Sequence, residues 1–208
     1  MDNSISDINK RIRDILSQRQ KGRLEAPGRH PSGVLIPIYA SDGRYSLVLT
    51  RRSQLVHYHK GEISFPGGGY HSLDGNLKQT ALRESFEEVG LDPRQVEILG
   101  ELDDTPTLSS GFVITPFVGL IPAGYPFKVC DFEIGELINI PVDALLSKDC
   151  CQTDPPVLLD GCLVKQYVFT YQDKQVIGAT ARILKQFLEI YCQAAAWDGS
   201  QCDPKEEK

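Results

Sequence analysis

The sequence predicts an α/β domain, and three observations carry that prediction. Short apolar runs of strand character alternate with segments whose apolar residues recur at helical spacing. Gly, Pro, Asn and Asp punctuate the boundaries between them. The chain of 208 residues can bury one sizeable core, and no internal repeat, low-complexity block or linker divides it.

Residues 1–30 are expected to form an N-terminal amphipathic helix and a loop. Ile5, Ile8, Ile12, Ile15 and Leu16 fall on one face of a helix over residues 4–19. A stretch rich in Gly, Pro and basic residues, from Lys21 to Gly33, then interrupts it. The domain proper is expected over 31–196. There "GVLIPIYA" and "YSLVLTR" read as strands joined at "SDGR" in a hairpin. "EISF" reads as a short strand running into "PGGG". A helix follows from Asn76 to Val89, with Asn76 able to cap its start and Gly90 able to stop it. Strands are expected at "VEILGEL", "VITPFVGLI", "CLVKQYVFTY" and "QVIG", and helices at "PVDALLS" and from Ala179 to Ala195. Residues 197–208 read as a polar tail.

A net charge of −6 argues against a general nucleic-acid binder, which would carry a basic face. The start "MDNSISDINKRIRDIL" has charges throughout and no apolar signal core, and no apolar run approaches the ~18 residues of a membrane span, so a cytoplasmic protein is expected. The six cysteines include no C-x-x-C pair and read as free thiols rather than a zinc site. The adjacent Cys150 and Cys151 suggest no mechanism of their own.

The helix "TALRESFEEVG" poses the chemical question. At about 100° per residue, Glu84, Glu87 and Glu88 fall within a ~100° arc, with Leu82, Phe86 and Val89 expected on the opposite, inward side. Arg83 and Glu87, four apart, can pair. Such an acidic face is often only solvated. Just upstream, however, "SFPGGGY" offers a glycine turn whose backbone can approach closely. Carboxylates beside backbone oxygens suit Mg²⁺ or Mn²⁺, and a divalent ion would offset the repulsion among the glutamates.

"GYHSLDGNLKQTALRESFEEVGL", Gly69 to Leu91, resembles the Nudix box, G-x5-E-x7-R-E-U-x-E-E-x-G-U with U a bulky aliphatic residue. Gly69, Arg83, Glu84, Glu87, Glu88, Gly90 and Leu91 stand at signature places. The first signature glutamate falls on Gly75, with Asp74 beside it, and the first U position is Ser85. In the family that early glutamate helps to hold the arginine and the helix start. The resemblance implies an α/β/α sandwich around a mixed sheet and divalent-cation-dependent hydrolysis of a nucleoside diphosphate linked to another moiety. Glu84, Glu87 and Glu88 would then be metal ligands with the Gly68 carbonyl, and Arg83 would orient them.

Upstream, "VLTRRSQLVHYHKGEISFPGG" is similar to a second signature, that of the coenzyme A pyrophosphatase branch, and the likeness continues through "LGELDDTPTLSSGFVITPFVG", "INIPVDALL" and "IGATARIL". His57 stands where the branch has an arginine, and His71 where an acid is common. Between Thr50 and Gly61 the chain carries Arg51, Arg52, Lys60, His57 and His59 and no acid, which suits a phosphate-rich substrate. Arg51, Arg52, His57, Phe65, Gly67 and Gly68 are therefore the expected substrate residues, with coenzyme A or a derivative as the substrate. Hydrolysis would yield 3′,5′-ADP and phosphopantetheine. ADP-ribose is the alternative substrate, and a non-catalytic nucleotide sensor the alternative class. The resemblance also allows a homodimer. Besides Glu87, the candidate bases are Glu133 and Glu136, placed on a loop or a helix end in "DFEIGELI".

Overall fold

The computed structural model describes residues 3–56 and 59–195. His57 and the predicted tail at 197–208 lie outside these described residues. The chain begins with α1 (Asn3–Gln18), then β1 (His30–Ser41), β2 (Arg44–Arg52), β3 (Ile63–Ser64) and β4 (Gly67–Gly69). Next come α2 (Leu77–Val89), β5 (Glu97–Glu101), β6 (Thr105–Pro106), β7 (Phe112–Leu120) and β8 (Ile134–Pro141). The last elements are α3 (Val142–Leu145), β9 (Cys151–Leu159), β10 (Cys162–Tyr171), β11 (Lys174–Val176) and α4 (Gly178–Ala194).

The larger sheet runs β3-β2-β1-β7-β5, with β4 pairing β1, β6 pairing β7 and β8 pairing β2. β1 and β7 are parallel and the other pairs antiparallel, so the sheet is mixed. Side chains alternate across a strand, and here the alternation sorts them into two cores. Val34, Ile36 and Ile38 of β1 join Ile12 and Leu16 of α1 and Phe187 of α4 on one face. Leu35 of β1, Val48 of β2 and Phe117 of β7 join Ala81 and Val89 of α2 on the other. The result is the expected α/β/α sandwich. A smaller antiparallel sheet, β11-β10-β9, joins the first core through Phe169 and Val176.

Two predicted local signals operate as expected. The hairpin turns at Asp42 and Gly43, which both have positive φ, as a two-residue turn of matching twist requires. On α2, the Asn76 side chain accepts from the Gln79 amide, and Gly90, at φ 68°, ends the helix with its amide donating to Phe86 O.

Other expectations need correction. β8 and β9 were not expected as strands. β9 is exposed along most of its length and contains Pro155 and Pro156, which an edge strand tolerates because pairing is needed on one side only. α3 covers four residues rather than the whole of "PVDALLS". On α2, Phe86 is exposed while Ser85 and Glu88 are buried, so the inward face is rotated from the one expected. Ser85 fits there because its hydroxyl donates to Ala81 O one turn back. Cys130, Cys150, Cys151 and Cys162 are free thiols, but Cys192 is disulfide-bonded, against the expectation of a wholly reduced set. The Cys150 thiol donates to Thr170 O, and burial pushes the Cys151 thiol up to about 11, so neither is activated. No helix among the described residues is long and apolar enough to cross a membrane.

Candidate active site

β4 and α2 bring the glycine turn against the acidic helix. A Cβ at Gly68 would lie 2.5 Å from Glu84 Cδ and 2.7 Å from both its carboxylate oxygens, so only glycine leaves room for that carboxylate. The Gly67 amide donates to Glu88 Oε2 at 3.1 Å. Ser32 Oγ, from β1, donates to the Gly68 carbonyl at 2.7 Å and orients it.

The three glutamates occupy different environments. Glu88 is 3% exposed, and burial pushes its pKa up to about 8, against the opposing Gly67 hydrogen bond. Glu84 is half-buried, and its pKa is also raised, chiefly by burial and against the pull of Arg83. Glu87 is exposed and bonded to Arg83 Nη1 at 3.0 Å. The expectation that all three carboxylates point outward is therefore corrected for Glu88.

Arg83 is held from several sides. Its Nη1 also donates to Glu84 at 2.7 Å, while Nε and Nη2 donate to the two oxygens of Asp74 at 2.7 and 3.0 Å. Asp74 further accepts from Thr80 Oγ1 and the His71 amide. This ion pair holds the Asp74 carboxyl well below the usual carboxylate range. Asp74 thus stands in for the glutamate absent at Gly75. His71, at the acidic place of the branch pattern, accepts from the Leu73 amide and caps the turn that carries Asp74.

Among the described residues, no three His, Cys, Asp or Glu groups converge into a ready-made cation cage. The donors nevertheless suit a divalent ion. Glu84 and Glu88 meet the same glycine turn, and a hard cation would relieve the burial of their charge. Glu133 lies close enough for its charge to raise the pKa of both. It sits on the loop before β8, as expected. Glu136 is instead on β8 itself, bonded to Arg51 at 2.9 Å and Lys174 at 3.2 Å, which corrects its placement on a loop or helix end.

A cleft of about 910 Å³ opens from the glycine turn. Arg51, Arg52, Phe65, Gly67 and Gly68 all line it, so the structure brings together the described members of the expected substrate set. Glu84, Glu87 and Glu88 are not among its lining residues, and Glu84 and Glu88 adjoin it through their contacts with Gly68 and Gly67. Arg52 Nη1 lies 3.8 Å from Glu88 Oε1, a separation that lets its charge partly offset the buried carboxylate. The rest of the lining comes from residues 107–110, the start of β7, β10, β11 and the start of α4, with Leu108, Phe112, Ile114, Ile177 and Ile183 as its apolar part. Sequence reasoning missed Ser32, Lys174 and this part of the lining. Asp74 was visible only as an acid beside a missing glutamate.

The NUDIX domain family matches residues 29–155. The chain is 33% identical to a protein named "Uncharacterized Nudix hydrolase NudL" from Photorhabdus laumondii, over 89% of this chain and 97% of that one. It is 35% identical to the protein of the same name from Yersinia enterocolitica, over 84% and 87% of the two chains. Among solved structures, a MutT/nudix family protein from Enterococcus faecalis superposes with a TM-score of 0.50 at 13% identity, over 91% of this chain and 78% of that one.

Proposed function

The chain belongs to the Nudix hydrolase family, and on that footing we propose that it cleaves the diphosphate of coenzyme A or an acyl derivative to 3′,5′-ADP and the corresponding phosphopantetheine. Enzymes of this family act on pyrophosphate bonds and generally need divalent cations. The observation that carries the reading is the junction of two features. Glu84 and Glu88 meet the glycine turn, and that turn ends a cleft lined by Arg51 and Arg52.

In this reading the diphosphate lies along Gly67–Gly69, and Arg51 takes its oxygens from the cleft side. Glu84, Glu88 and the Gly68 carbonyl would hold Mg²⁺ or Mn²⁺, with Glu87 joining when Arg83 releases it. When bound, the ion neutralises the diphosphate and lowers the pKa of a water. Water oxygen attacks one phosphorus, the bridging phosphorus–oxygen bond breaks, and the proton lost from water passes to a carboxylate. Glu133 is the better-placed acceptor, because its charge reaches Glu84 and Glu88 while Glu136 is engaged elsewhere. The mixed lining, with Leu108, Ile177 and Ile183 beside Ser109, Ser110 and Gln175, supports a substrate whose long second arm alternates alkyl segments with amides, as phosphopantetheine does.

Incubation with Mn²⁺ and coenzyme A, acyl-coenzyme A, ADP-ribose and nucleoside triphosphates tests this, with products resolved by chromatography. Coenzyme A or an acyl derivative is expected to be cleaved fastest, giving 3′,5′-ADP. Preferred cleavage of ADP-ribose overturns the substrate assignment. Tight binding with no cleavage of any compound makes the protein a nucleotide sensor.

A further inference from the structure

Arg51 is distinguished by what holds it and by what it leaves open. β2 and β8 pair Arg51 with Glu136, and the ladder slips by one residue at Gly135, so that Arg52 pairs with Ile134. A bulge of this kind re-aims neighbouring side chains, and both consecutive arginines line the cleft. Arg51 Nε donates to Glu136 Oε2 at 2.9 Å. The other oxygen, Oε1, takes Lys174 Nζ at 3.2 Å. Lys174, at the start of β11, is itself bonded to Asp173 at 2.9 Å, and Asp173 and Glu136 together raise its pKa. Among the described residues, neither terminal nitrogen of Arg51 has a hydrogen-bond partner. Arg83 spends all three of its nitrogens on protein acceptors. Arg51 is gripped at its Nε and lines the cleft beside Asp173, whose pKa its charge helps to lower.

We propose that Glu136, braced by Lys174, is a positioning residue that fixes Arg51 with its two terminal nitrogens presented to phosphate oxygens in the cleft. The inference rests on the diphosphate reading above and deepens it. A long arginine side chain loses rotamer freedom when it binds, and anchoring Nε beforehand removes part of that loss. The fork then matches two phosphate oxygens at once. Lys174 offsets the negative charge that Glu136 would otherwise set beside an incoming anion. Both Glu136 oxygens are already taken, so it is not poised to accept a proton from water.

The test uses the full chain and ADP as a diphosphate probe, with affinity measured by titration calorimetry. Glu136→Gln, Arg51→Met, their double variant and Lys174→Met are compared with the unaltered chain. Glu136→Gln is expected to weaken ADP about tenfold and Lys174→Met about threefold, and neither to add to the loss in an Arg51→Met background. In steady-state hydrolysis Glu136→Gln should raise KM and keep both kcat and the acidic limb of its pH profile. Unchanged ADP affinity, an additive loss in the double variant, or a collapse of kcat with loss of the acidic limb each overturns the proposal. If the unaltered chain hydrolyses nothing but the non-additive affinity loss persists, the hydrolase reading falls and the positioning role stands.

Discussion

Asp74 and Arg83 join at two points, Oδ1 to Nε at 2.7 Å and Oδ2 to Nη2 at 3.0 Å. The pair leaves Nη1 free to span Glu84 and Glu87, so the setting of both glutamates depends on an acid outside the helix. Asp74→Ala should cost about 2 kcal/mol in urea unfolding, because Arg83 and Thr80 lose acceptors in a largely buried place. It should also depress kcat, since the released guanidinium is free to compete for Glu84. The lowered pKa of Asp74 means that its stabilisation is present above the usual carboxylate range and is lost as pH falls through the folded-state value. Placing the family's glutamate by Gly75→Glu should not improve the protein. Residue 75 sits at φ 74°, where a side chain costs about 1–2 kcal/mol.

Glu88 should make the metal-free protein less stable as pH rises. Its folded pKa of about 8 lies above the ordinary 4.5, so its favourable contribution is complete below 4.5 and is lost as pH climbs through 8. Metal-free Glu88→Gln should therefore match the unaltered chain near pH 4.5 and exceed it by about 2–4 kcal/mol near pH 8. Its turnover should fall by about 10²-fold or more, because a neutral amide cannot replace a carboxylate at the metal. Parallel urea titrations and rate measurements check both halves. Near-normal turnover in this variant would remove the proposed metal cradle.

Gly67 and Gly68 should respond differently to alanine. At Gly68 the new Cβ meets only the far end of the Glu84 side chain, which can swing away. Gly68→Ala should thus change stability by about 1 kcal/mol or less while weakening Mn²⁺ binding and kcat. At Gly67 the Cβ would fall 2.5 Å from Gly33 O and 2.6 Å from Val34 Cα, on a backbone at φ 154°. Gly67→Ala should cost about 3 kcal/mol or more, because backbone rather than a side chain must move. Thermal melting separates the two.

Removal of divalent ions by EDTA should abolish hydrolysis, and Mn²⁺ should restore it. The gain in Tm on adding Mn²⁺ should be larger near pH 8 than near pH 5, because Glu88 must lose its proton to bind. An equal gain at both pH values would count against Glu88 as a ligand.

Much of the fold was legible because its signals are local. Asn76 and Gly90 bound α2, Asp42 and Gly43 turn the hairpin, and the β10 run "CLVKQYVFTY" matches its strand. β9 was not legible, because Asp154, Pro155 and Pro156 interrupt "CQTDPPVLL", which becomes a strand through its pairing with β10. The carboxylate helix was legible from spacing, but its rotation was not. Phe86 was expected inward by its apolarity, whereas the packed face takes Ser85 and Glu88.

The sequence by itself determined the α/β class, the acidic helix and the glycine turn, since each rests on periodicity or turn chemistry within a few residues, while the mixed sheet was implied only by the resemblance. Tertiary structure alone decided that Glu88 is the buried carboxylate, that Glu136 holds Arg51 across 85 positions, and that β10, β11 and α4 wall the cleft. The physical reason is that spacing defines which residues share a face, while charge and burial depend on the distant strand or helix that comes to lie against it.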